Sequence, residues 1–269
     1  MILYLPTELQ ELILGYLTRK EYKAIVPCKA LLLCKSYLSL EDYCELNILP
    51  IANLSIREKE KLLIKSCEFN NLRLVKWLLK EGVDPSVNDN VSVSYVSGRG
   101  YARVLEILLK DPRVDPSSEN NLAISCASAN GHKEVIEILL KDPRVDPCDN
   151  NNVAILSASA NGHKEVVELL LKNAKIDFLS IYNLPVIWAS ENGHKGVVEV
   201  LLKDPRVDPA AENNEAIRQA VKNNRKEIVE LLLKDPRVDP SVSNNEVLRL
   251  ALEKDYKEII KLLLETLKF

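Results

Sequence analysis

The chain is short of most of the residues and motifs that carry chemistry. Its 269 residues include 3 histidines, 2 tryptophans, 3 phenylalanines and 8 glycines. There is no Gly-rich phosphate loop, no His-Glu-x-x-His and no cysteine–histidine cluster with zinc spacing. Nucleotide-dependent and zinc-dependent catalysis therefore lose their usual signatures. No apolar run approaches the roughly 18 residues of a membrane span. Excess charge of one sign is missing too. The 36 basic and 39 acidic side chains are interleaved and leave a formal net charge of −3, which is no electrostatic footprint for nucleic acid or an anionic membrane. The six cysteines (Cys28, Cys34, Cys44, Cys67, Cys126, Cys148) form no Cys-x-x-Cys and no paired spacing. The opening residues, Met1 to Glu8, have no basic stretch and break their apolar run with Pro6 and Glu8. Together these lead us to expect reduced thiols and a cytoplasmic protein.

What is abundant is repetition. Lys-Asp-Pro-Arg-Val-Asp-Pro occurs four times, at Lys110–Pro116, Lys141–Pro147, Lys203–Pro209 and Lys234–Pro240. A degenerate copy, Asn173-Ala174-Lys175-Ile176-Asp177, stands in frame between the second and third. Asp84, Asp115, Asp146, Asp177, Asp208 and Asp239 fall 31 residues apart, and so do Asn90, Asn121, Asn152, Asn183, Asn214 and Asn245. Asn130-Gly131-His132, Asn161-Gly162-His163 and Asn192-Gly193-His194 form a third column, which decays to Asn223-Asn224-Arg225. A period of this size marks a stack of supersecondary units.

One unit can be read from Asn120 to Pro147. Asn120-Asn121 is expected to cap a short helix bearing Ala123, Ile124 and Ala127. Asn130-Gly131 ends it, because glycine takes a left-handed conformation without penalty. His132 opens a second helix, Lys133–Lys141, which Asp142-Pro143 stops. Val145 re-enters the core, and Asp146-Pro147 turns the chain again. Seven such pairs are expected, with second helices near 72–80, 102–110, 133–141, 164–172, 195–203, 226–234 and 257–266. The three histidines share one structural column, and nothing singles out one of them as catalytic. The aspartates, one per repeat, cannot gather the six or more oxygens calcium requires. We therefore expect neither enzyme activity nor any cofactor or metal.

The segment Asn183-Leu184-Pro185-Val186-Ile187-Trp188-Ala189-Ser190-Glu191-Asn192-Gly193-His194-Lys195-Gly196-Val197-Val198 resembles the ankyrin repeat, x-T-P-L-H-x-A-A-x-x-G-H-x-x-V-V. Pro185 sits at the helix-opening proline of that family and Gly193-His194 at its inter-helix turn. The resemblance covers about residues 55–269 and implies an all-α, ankyrin-type helical solenoid that binds other proteins. The Thr and His of T-P-L-H are absent from every repeat, so the asparagine column is expected to take over their hydrogen bonds. The loop after the aspartate column is about three residues shorter than in the 33-residue family unit, which implies stunted or missing hairpin fingers.

Residues 1–50 do not follow the repeat. Leu5-Pro6-Thr7-Glu8-Leu9-Gln10-Glu11-Leu12-Ile13-Leu14-Gly15-Tyr16-Leu17 resembles the F-box pattern L-P-x-E-L-x-x-x-I-L-x-Y-L. That resemblance implies docking on the SKP-type adaptor subunit of SCF ubiquitin ligases through Leu5, Pro6, Glu8, Leu9, Ile13, Leu14 and Leu17. The competing reading is a helical cap on the first repeat. An F-box-like segment joined to ankyrin repeats is similar to proteins of large DNA viruses, amoebal giant viruses among them, for which the compartment would be the host cytoplasm.

Positions that vary between repeats are candidates for the partner surface. One column runs Tyr95, Cys126, Ser157, Trp188, Gln219, Leu250, and another Gly98, Ala129, Ala160, Glu191, Lys222, Glu253. The repeat after Asn173 replaces the usual polar loop with Asp177-Phe178-Leu179-Ser180-Ile181-Tyr182. Aromatic anchors dominate interface energy, so Phe178, Tyr182 and Trp188 are the expected centre, with Tyr95, Glu191, Gln219 and Lys222 around it. The alternative for Phe178 and Ile181 is that they fill a gap left by the degenerate turn. Two function classes follow: a monomeric adaptor that recruits a target protein to the ligase, or a plain ankyrin scaffold that sequesters its partner.

Overall fold

The computed structural model describes residues 54–172, 181 and 183–267. The docking segment Leu5–Leu17, and Phe178 and Tyr182 of the partner surface, lie outside the described residues. Those residues carry fourteen helices and no strand. They are α1 (Ile56–Glu68), α2 (Leu72–Lys80), α3 (Val87–Gly98), α4 (Ala102–Leu108), α5 (Ser118–Ala129), α6 (Lys133–Leu139), α7 (Asp149–Ala160), α8 (Lys164–Leu171), α9 (Leu184–Asn192), α10 (Lys195–Leu201), α11 (Ala211–Lys222), α12 (Lys226–Leu232), α13 (Val242–Glu253) and α14 (Lys257–Leu267).

They divide into two compact units, one of residues 54–96 with 103–115, the other of 97–102 with 116–267. In the first unit, α1 opens on a capping box. Ser55 Oγ accepts the Glu58 N–H, and the Glu58 carboxylate takes the Ser55 N–H in return, which satisfies two orphan donors. Helix α2 packs on α1 through Leu74, Val75 and Leu78. In the second unit the first helices of successive pairs, α5, α7, α9, α11 and α13, pack side by side as one layer. The second helices, α6, α8, α10, α12 and α14, form the other. Val135, Ile136 and Leu139 of α6 and Val166, Val167 and Leu170 of α8 are buried between the layers. Each such side chain contributes about 1.5–3 kcal/mol on leaving water.

Five of the second helices stop one or two residues before the expected ends, at Leu108, Leu139, Leu171, Leu201 and Leu232. The last turn tightens instead, as where Lys141 N–H bonds the Ile138 carbonyl and Asp142 N–H the Leu139 carbonyl. The asparagine column departs further from expectation. Asn121 does not cap its helix. Glu119, Asn120 and Asn121 are all left-handed, with φ of 53, 55 and 58°, and the same three-residue left-handed turn recurs at Asn150–Asn152 and Glu212–Asn214. Left-handed backbone is disfavoured for most residues and tolerated best by asparagine among those with a side chain. The turn aims the third asparagine inward, where Asn121, Asn152, Asn183 and Asn214 are buried.

Candidate protein-binding surface

The inward asparagines tie each unit to the loop that follows. Asp146 N–H donates to Asn121 Oδ1 at 2.9 Å, Asp208 N–H to Asn183 Oδ1 at 2.8 Å and Asp239 N–H to Asn214 Oδ1 at 3.1 Å. In the first unit Asp115 N–H makes the same bond to Asn90 at 2.9 Å. The asparagine column thus makes its hydrogen bonds to the next loop rather than at its own helix end. The aspartate column closes the next turn: Asp146 Oδ1 accepts the Cys148 N–H and Asp208 Oδ1 the Ala210 N–H.

The arginine of each Lys-Asp-Pro-Arg-Val-Asp-Pro loop folds onto the aspartate two residues earlier. Arg144 Nε and Nη2 reach both oxygens of Asp142, at 3.0 and 2.6 Å, and Arg206 and Arg237 do the same to Asp204 and Asp235. Such bidentate pairs are geometrically exacting. The Arg206 and Arg237 guanidiniums also donate to carbonyls of an earlier repeat, Leu171 at 2.7 Å and Val207 at 2.8 Å. The arginine bonds hold Asp142, Asp204 and Asp235 below the usual carboxylate range.

At the opposite edge the histidines lie over the glycines of the preceding turn. His163 Nε2–H donates to the Ala129 carbonyl at 3.0 Å and His194 Nε2–H to Ala160 at 2.9 Å. Gly131 has a φ of 76° and a Cβ there would sit 2.5 Å from His163 Nδ1. Glycine is thus required twice, for the backbone and for the ring. Arg225, which ends the decayed copy of the motif, keeps the bond: its Nε donates to the Glu191 carbonyl at 3.0 Å.

These ties occupy the loop and turn edges and leave two rows of the first-helix layer to vary, one through Trp188 and one through Glu191 and Lys222. Cys126, Ser157, Trp188, Gln219 and Leu250 hold equivalent positions on α5, α7, α9, α11 and α13, and every one is half-buried. Glu191 is half-buried one turn beyond Trp188, and Lys222 is exposed at the equivalent place on α11. Of the expected partner residues, Trp188, Glu191, Gln219 and Lys222 share this face of the second unit. Tyr95 is half-buried in the first. Asn192 Nδ2 donates to the Trp188 carbonyl at 3.0 Å at the end of α9. Gln219 donates to Glu215 at 2.6 Å, which draws its amide along the helix. The sequence reading missed the arginine chelates, the left-handed turns and the role of Arg225. The constant 25-residue offset between the asparagine and aspartate columns was the available signal for the first clamp.

Other chemistry has little footing. Burial pushes the Cys67 thiol up to about 12 and raises that of Cys126, so neither is a ready thiolate. Among the described residues no three His, Cys, Asp or Glu side chains cluster to hold a metal ion, and no helix is long and apolar enough to cross a membrane.

Stacked helix pairs with a variable row on one layer define a repeat protein built to bind other proteins. A family model for ankyrin repeats (three copies) matches residues 93–181 and 186–268, and the chain belongs to the ankyrin-repeat family. No curated protein matches it.

Proposed function

We propose that the chain is a non-catalytic adaptor: the repeats hold a target protein, and residues 1–50 dock on the SKP-type subunit of an SCF ubiquitin ligase. The observation that carries the binding half is Trp188, a half-buried indole in the middle of a row that changes from repeat to repeat. Tryptophans in such positions are the commonest anchors of protein interfaces. Glu191 and Lys222 flank it with opposite charges. The ligase half is supported by the Leu5-Pro6-Thr7-Glu8-Leu9 pattern and the apolar residues Ile13, Leu14 and Leu17 that follow it.

The test of the ligase half uses the full chain and the purified adaptor subunit. The wild-type chain should retain the subunit at micromolar concentration. Leu9→Asp/Ile13→Asp, which places two charges in an apolar contact, should not, while the helical signal of the repeats is unchanged. A wild-type chain that fails to retain the subunit leaves a scaffold that acts by occupying its partner.

A further inference from the structure

We propose that the turn edge of the second unit carries a binding site for an arginine side chain of a partner protein, in the cleft between Asn224 and Tyr256. The inference goes beyond the Trp188 row and does not depend on it. It begins with how the other turns along this edge are covered. His132 Nε2–H donates to the Gly98 carbonyl at 3.1 Å, His163 to Ala129 at 3.0 Å and His194 to Ala160 at 2.9 Å. Arg225 Nε does the same to Glu191 at 3.0 Å. Each covering side chain lies against a left-handed glycine. A Cβ on Gly100, Gly131 or Gly162 would sit 2.6, 2.5 or 2.6 Å from a histidine Nδ1, and one on Gly193 would sit 2.9 Å from Arg225 Cδ. These turns all accept a planar N–H donor from the next repeat, and one of the donors is a guanidinium.

At the following turn both letters change. Asn224 stands where the glycine was, left-handed with a φ of 55°, and Tyr256 stands in the histidine position. With a Cβ at residue 224, a ring cannot lie on the turn as the histidines do. The Tyr256 hydroxyl has no hydrogen-bond partner among the described residues, and no donor among them reaches the Lys222 carbonyl, the counterpart of the Glu191 carbonyl. A cleft of about 400 Å³ opens instead between Asn224 and Tyr256, with Lys226, Glu227, Asp255, Lys257 and Glu258 around it.

The chemistry of the cleft selects its ligand. Lys226 is engaged by Glu258 at 2.5 Å, and Lys257 lies 4.0 Å from Asp255. Those pairs leave the Glu227 carboxylate without a salt bridge among the described residues, so three carboxylates outnumber two ammoniums. A cation is favoured over an anion. Among cations, a guanidinium stacks on an aromatic face and offers a planar fork to a carboxylate, which an ammonium cannot. Tyr256 supplies the ring, Glu227 the carboxylate, and the Lys222 carbonyl the bond that Glu191 gives Arg225 one turn earlier.

The test titrates the 15N-labelled full chain with the capped tripeptide acetyl-Gly-Arg-Gly-amide and with its lysine and glutamine counterparts. The arginine peptide should shift the amides of Asn224, Glu227 and Tyr256 saturably, with a Kd of about a millimolar for a single side chain. The lysine peptide should bind about tenfold more weakly, and the glutamine peptide should give no saturable shift. Asn224→Gly/Tyr256→His rebuilds the covered turn from the residues used at Gly131 and His163, and should abolish the shifts. If that variant does not fold, Glu227→Gln, at an exposed position, carries the test and should weaken binding about tenfold. No saturable shift with the arginine peptide overturns the proposal. So do equal shifts with the glutamine peptide, shifts that persist in the rebuilt turn, or undiminished binding by Glu227→Gln.

Discussion

The loop edge and the first-helix row of the second unit are built from the same repeats and follow opposite rules. On the loop edge the residues recur almost letter for letter, and the recurring aspartates and arginines bond one another while Asn121, Asn183 and Asn214 each meet the following loop. Asp142 is chelated by Arg144, and Asn121 is filled by Asp146 N–H. Along the row the letters change from Cys126 to Ser157 to Trp188 to Gln219, although the backbone position is the same. Recurrence marks the side chains that solve the packing problem. Variation marks the places where packing asks for nothing, which are free to serve a partner.

The comparison breaks most sharply in the core beneath both regions. Leu139→Ala or Leu170→Ala, each fully buried, should cost about 2–5 kcal/mol, measured by denaturant melts. Asn121→Ala should come next. It strands the Asp146 N–H, removes the donor to Asp149 Oδ2 and puts a less tolerant residue in left-handed backbone, for about 1–3 kcal/mol together. A loss as small as that of a row residue would erase the distinction between edge and row.

Acid should act on the edge and spare the row. Asp142, Asp204 and Asp235 are held below their ordinary pKa by arginine hydrogen bonds. A lowered folded-state pKa contributes stability that is fully present above the unfolded value, about 4. It is lost as pH falls through the folded value. Melting temperature should therefore decline below about pH 4, and less steeply in Asp142→Asn/Arg144→Lys. A row variant such as Trp188→Ala should keep the wild-type pH profile. The smallest effect expected is at Ser128, whose buried Oγ has no partner among the described residues. Ser128→Ala should be neutral or stabilising by up to about 1 kcal/mol, and a clear loss in a denaturant melt would show that the hydroxyl is hydrogen-bonded.

The repeat, its helix pairs and its buried leucines were legible in the sequence because period and apolar spacing report directly on stacking. The seven second helices fall where the period put them. What was not legible is the direction of side chains that leave their own unit. Asn121 has the residue type of a helix cap and sits where a cap belongs, so the local reading favoured capping. Only the left-handed turn, which asparagine permits but does not require, sends its side chain to the next loop. Arg225 was hidden for a related reason. A guanidinium and an imidazole are unlike as letters, but each offers an N–H to the carbonyl one repeat back. The variable rows were legible as variation, and the structure places Trp188 and Glu191 on α9 and Gln219 and Lys222 on α11.

The central claim is that Trp188 serves a partner and not the fold. With the partner identified by cross-linking from Lys222, capture by the full chain and its Trp188→Ala variant should be compared alongside their melting temperatures. The account predicts that binding weakens by about 2 kcal/mol or more while the melting temperature moves by no more than about 2 °C, less than 1 kcal/mol for a chain of this size. Undiminished capture, or a loss of capture that tracks a loss of folding, would contradict it.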